Sequence, residues 1–128
     1  MDNNRAGTIS WADLTVDKAE EIKDFYCQVG GWQASEVDMG GYSDFNMNLP
    51  ITGKPAAGIC HARGTNQGLP PQWLIYITVV DLQESLQKCI DLGGKVLVGP
   101  VQMGEQGGYC VIADPSGAAV ALYSLPGD

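Results

Sequence analysis

The chain has 128 residues, 45% of them hydrophobic, with 7 Lys and Arg against 15 Asp and Glu for a formal net charge of −8. A domain of this length buries roughly 65–70% of its unfolded surface, so it needs no staple to fold, and one domain over residues 1–128 is expected. The charge repels phosphate backbones and anionic lipid, and no apolar run reaches the ~20 residues of a membrane span, so neither nucleic acid nor membrane is an expected partner.

The opening MDNNRAGTIS carries no apolar run of the signal-peptide kind, and no cleaved leader is expected. Residues 9–16 alternate: Ala12, Leu14 and Val16 share one face of a strand, Trp11, Asp13 and Thr15 the other. The spacing of Ala19, Ile22, Phe25, Tyr26 and Val29 predicts a helix from Asp17, a candidate N-cap or first-turn acid, to the pair Gly30-Gly31. Short strands are expected over 32–37, 42–48 and 57–62, separated by the turn residues of 39–41 and 49–55. Residues 64–72 read as an exposed linker.

From Trp73 the plan starts again. Ile75, Ile77 and Val79 oppose Leu74, Tyr76 and Thr78 on a second alternating strand. A helix follows over 81–92, with Leu82, Leu86, Cys89 and Ile90 at helical spacing, Asp81 at its start and Gly93-Gly94 at its end. Strands are expected over 95–98, 108–113 and 118–125. Residues 99–108 read as a mobile loop by composition, and Asp114-Pro115-Ser116-Gly117 as a turn. Cys27, Cys60, Cys89 and Cys110 fall in apolar runs without a C-x-x-C spacing, which predicts free thiols in a reducing, cytoplasmic setting.

An offset of 63 positions superimposes Leu14, Thr15, Val16 and Gly30 on Ile77, Thr78, Val79 and Gly93. The chain is therefore read as two copies of a β-α-β-β-β module, residues 8–63 and 73–125. The expected class is α+β: a curved, mostly antiparallel sheet of eight strands around a cleft, with the helices outside. The cleft faces would carry Trp11 and Asp13 in one copy and Tyr76, Ala121 and Tyr123 in the other. Small residues there leave room for a guest.

Three phrases give this plan a family likeness. They are Leu14-Thr15-Val16 leading into Phe25-Tyr26, Leu92-Gly93-Gly94-Lys95-Val96, and Asp114-Pro115-Ser116-Gly117 before the last strand. With them the paired modules resemble the vicinal oxygen chelate superfamily of glyoxalase I, extradiol dioxygenases, methylmalonyl-CoA epimerase and bleomycin-resistance proteins. That resemblance implies a divalent metal held by His, Gln or Glu on the first and last strand of each module. Here those positions fall on Trp11, on Leu74 or Trp73, and on Ala121, with Gly58, Ile59 and His61 in the fourth region. Indole, isobutyl and methyl groups offer no lone pair to a cation.

The reading is thus a metal-independent, cofactor-free module of glyoxalase/bleomycin-resistance type that binds a small organic molecule as a homodimer. The alternative is a metal-dependent lyase, isomerase or dioxygenase with a rearranged site drawn from Asp13, His61 or Glu105. Candidate ligand-binding residues are Trp11, Asp13, Phe45, Met47, Trp73, Tyr76, Tyr109, Ala121 and Tyr123. No metal ligands are assigned. Asp13 and His61 are the candidates for acid–base work.

Overall fold

The computed structural model describes residues 5–125. They form two compact units, residues 11–73 and residues 5–10 with 74–125. Each holds four strands in a row with one helix packed on it, and the whole is α+β.

In the first unit, β1 (Ile9–Val16), α1 (Ala19–Gly30), β2 (Gln33–Asp38), β3 (Ser43–Asn48) and β4 (Pro55–His61) follow one another, and the row runs β2-β3-β4-β1. β1 and β4 are parallel, with Asp13 beside Gly58 and Leu14 beside Ile59. The other pairs are antiparallel. The period-2 pattern decides what is buried: Leu14, Phe45, Met47 and Ile59 share the face that meets Ala19, Ile22, Tyr26 and Cys27 of α1. Each large side chain sealed this way stabilises by about 1.5–3 kcal/mol. Phe25 and Val29 were expected on this stripe but are exposed, at 52% and 67%. The helix is turned so that Tyr26 faces inward; its hydroxyl accepts the Trp73 indole N–H at 3.1 Å, and its ring meets Trp32 and Trp73.

In the second unit, which takes β5 (Trp73–Thr78) from Leu74 on, α2 (Leu82–Asp91), β6 (Lys95–Gln102), β7 (Gly108–Ala113) and β8 (Ala119–Ser124) repeat the order, and the row runs β5-β8-β7-β6. β5 and β8 are parallel, with Tyr76 beside Ala121. Leu82 and Leu86 of α2 close on Cys110 and Leu122, with Ile77, Val79 and Ile112 around them.

Two helix starts differ. Asp81 caps α2, its carboxylate accepting the Glu84 N–H at 3.1 Å. Asp17 does not cap α1: Lys18 holds that place and gives no side-chain cap. The region expected as a mobile loop is mostly strand and tether. β6 runs on to Gln102 against β7, with breaks in register between Val96 and Val101. Past it, Met103 N–H donates to the Gly107 carbonyl at 2.7 Å, and Tyr123 Oη donates to the Gln106 carbonyl at 2.6 Å. Gly107 has φ +92°, and a Cβ there would collide with the Ser124 carbonyl oxygen.

Candidate functional site

Along β1 of the first unit, Leu14 and Val16 turn toward α1, which puts Trp11, Asp13 and Thr15 on the opposite face. β4 brings Gly58 to the same side, where a Cβ would stand 3.4 Å from both Asp13 Cβ and Trp11 Cζ2. Asn46 of β3 lies beside Gly58. Two residues along β3 comes Asp44, and two along β4 comes Cys60.

This face is polar and charged. The Asp44 carboxylate is the hub. It accepts the His61 backbone N–H at 2.9 Å, lies 3.1 Å from His61 Nδ1, and receives the Cys60 thiol hydrogen. With a carboxylate at Nδ1, the proton belongs on that nitrogen. The His61 ring is wedged edge-on against Tyr42, over whose face Arg63 lies at 3.8 Å. Asp13 Oδ1 is buried. Burial, and then the charges of Asp13 and Asp44, push the Cys60 thiol well above its ordinary range. Cys60 is a proton-bearing thiol here, not a nucleophile.

On β8 of the second unit, Leu122 faces α2 while Ala121 and Tyr123 face away. Val111 lies beside Ala121, Tyr109 beside Tyr123, and Tyr76 on the other side of Ala121. The Tyr76 and Tyr109 rings approach to 6.3 Å. Leu74, Val111 and Ala121 are fully buried. This surface is hydrocarbon and phenol where the other is carboxylate and amide.

The sequence candidates therefore separate. Trp11 and Asp13 lie on the first unit's face away from its helix, and Tyr76, Tyr109, Ala121 and Tyr123 on the second unit's. Three do not share that placement. Phe45 and Met47 are in the α1 core, because β3 is in register with β4 through Phe45 beside Ile59. Trp73 is held in the aromatic cluster with Tyr26 and Trp32. His61 sits at the end of β4 and is fixed by Asp44. Sequence reasoning missed Asp44 and left Gly58 as one of three residues in the fourth region. The signals were there: Asp44 is a mid-strand acid like Asp13, and Gly58 lies 63 positions before Ala121.

A family model described as Glyoxalase/Bleomycin resistance protein/Dioxygenase superfamily matches residues 8–122. The chain belongs to this superfamily. The protein named "Putative glyoxylase CFP32" of Mycobacterium tuberculosis is 32% identical over 120 residues, covering 93% of this chain and 46% of its own. "Anthracycline biosynthesis protein DauV" of a Streptomyces species is 30% identical over 132 residues, with 91% and 46% covered. The chain thus spans about half the length of these relatives. Methylmalonyl-CoA epimerase from Mycobacterium tuberculosis superimposes with a TM-score of 0.57 at 14% identity, over 99% of this chain and 94% of that one, a likeness of fold.

Strand register pairs off the positions on which the family resemblance puts its donors. Asp13 lies beside Gly58 in one unit and Tyr76 beside Ala121 in the other, and both members of the pair shift by the same 63 positions. The last-strand position matching Ala121 is therefore Gly58, not Ile59 or His61. By the same offset Trp11 matches Leu74. None of Trp11, Gly58, Leu74 and Ala121 carries an oxygen, an imidazole or a thiolate. Among the described residues, no three His, Cys, Asp or Glu side chains gather to hold a metal ion. This donor set does not fit the superfamily's divalent cation.

Proposed function

We propose that the chain is a metal-independent, small-molecule-binding module that takes an organic ligand on the strand faces turned away from its helices, and that it works as a homodimer. The observation that carries this reading is the register: all four donor positions are hydrocarbon, indole or bare backbone. Binding energy must then come from apolar area and a few polar contacts. The phenols of Tyr76 and Tyr109 suit that task, as each joins a large apolar surface to one hydroxyl. A relative named for anthracycline biosynthesis agrees with an organic guest.

Two measurements on the purified chain test it. Elemental analysis after incubation with Zn²⁺, Ni²⁺, Mn²⁺ or Fe²⁺ is expected to find no stoichiometric metal. Thermal-shift screening against a metabolite library is expected to find a stabilising compound, by about 2.7 kcal/mol when the compound is present at 100 times its Kd. One tightly held metal ion per chain would falsify the reading.

A second reading, catalysis with a rearranged site, draws on the relative named as a glyoxylase and on the Asp44–His61 pair, whose geometry leaves His61 Nε2 as the basic nitrogen. Glyoxalase activity that is abolished by His61→Gln in a folded protein would favour it.

A further inference from the structure

Two of the donor positions meet at one point in the first unit. Trp11 holds the first-strand position and Gly58 the last-strand one. A Cβ on Gly58 would stand 3.4 Å from Trp11 Cζ2 and 3.6 Å from Trp11 Nε1. The indole lies across the room that a side chain on Gly58 would need. One donor position supplies a ring, and the other supplies the space to seat it. A single methyl fits at ordinary van der Waals distance, whereas a branched side chain reaches further and drives the ring off.

Trp11 is half-buried, so the residue keeps part of its surface open. Trp32 and Trp73 are half-buried as well, but their rings are committed to one another, 5.8 Å apart at 68°, with Tyr26 packed on both. An indole seated along one edge loses little rotamer entropy when a guest arrives, and its face favours an offset or edge-on aromatic partner over an aliphatic one of equal area.

We propose that Gly58, by seating the Trp11 indole, sets the ligand specificity of this module, and that its ligands are planar aromatic ring systems. This rests on the small-molecule reading above and narrows it. Gly58 acts through Trp11 and is a positioning residue; Trp11 is the contact.

The test compares two amine probes on the full chain, planar 9-aminoacridine and globular 1-aminoadamantane, so that attraction to the negative surface is common to both. Calorimetry gives affinity and tryptophan emission reports the ring. The acridine is expected to bind one to one and at least ~10-fold tighter than the adamantane. Trp11→Leu is expected to abolish that preference. Gly58→Ala keeps it, whereas Gly58→Val loses it and shifts the emission in a way that Trp11→Leu removes. Should the valine variant fail to fold, Gly58→Ser, one atom longer than alanine, takes its place with the same expected loss. Equal affinity for both probes, or a preference that survives Trp11→Leu, overturns the aromatic seat. If aliphatic compounds bind one to one and the acridine does not, the seat falls and the small-molecule reading stands. If neither probe nor a metabolite library binds, both fall.

Discussion

At the scale of single residues, buried ionisable groups follow their neighbours. Cys60 and Cys110 have the same side chain, and different surroundings raise both thiols. Cys60 is flanked by the carboxylates of Asp13 and Asp44, so burial and charge both oppose its thiolate. Cys110 sits among Leu82, Leu86 and Leu122, and burial pushes its thiol up to about 11, against a lowering by a hydrogen bond from the Leu122 backbone. Native protein treated with iodoacetamide at pH 8 is expected to leave both unlabelled by mass spectrometry while denatured protein labels fully. Asp44→Asn removes one charge beside Cys60 and should speed its alkylation; no change in rate would remove Asp44 as a cause. Cys110 also ties stability to alkaline pH. An unfolded thiol ionises near 9, whereas the folded one holds its proton to about 11. The unfolded state therefore releases its proton first, and stability falls as pH rises from about 9 through 11, by roughly 2–3 kcal/mol. Cys110→Ala is expected to flatten that slope in urea titrations at several pH values.

At the scale of elements, the caps and tethers separate two helices that look alike in sequence. Asp17 and Asp81 both precede an amphipathic segment, yet only Asp81 reaches a helix N–H. Asp81→Ala is expected to cost about 1 kcal/mol, or some 3–5 °C in Tm for a chain of this size, while Asp17→Ala stays within about 0.5 kcal/mol. Equal losses would put both residues in the same role. The difference was not legible beforehand, because a cap is a matter of φ and ψ at one residue and sequence spacing leaves the start of a helix uncertain by a turn. Residues 99–108 misled for a related reason. Their glycines suggest mobility, yet Gly107 is required by positive φ and by the Ser124 carbonyl beside it. Gly107→Ala is expected to destabilise by more than 1 kcal/mol and to free the Tyr123 hydroxyl from Gln106, observable as faster hydrogen exchange at Met103 and Gly107.

At the scale of the whole molecule, internal repetition made most of the architecture legible. One offset of 63 gave the succession of elements in both units, and period-2 alternation assigned Trp11, Asp13, Ala121 and Tyr123 to the faces away from the helices, while the order of strands across each row came only with the structure. It failed at Phe45 and Met47 because alternation says that residues share a face without saying which one; that needed the register of β3 on β4. It failed at Trp73 because an aromatic at a strand end can turn either way, and Tyr26 captured its N–H. The same physics bears on assembly. β2 ends one row and is guarded by Glu36 and Asp38, charges that deter strand pairing. β6 ends the other row with Val96 and Leu97 exposed. A second copy of the chain is the expected cover, since two-fold dimers are the commonest soluble oligomers and join through one patch shared by both copies. Sedimentation velocity is expected to show a dimer at micromolar concentration, and Leu97→Glu to shift it toward monomer while leaving the far-ultraviolet dichroism unchanged. A native chain that stays monomeric across that range would remove the dimer from the proposal, and a dimer indifferent to Leu97→Glu would move its interface away from β6.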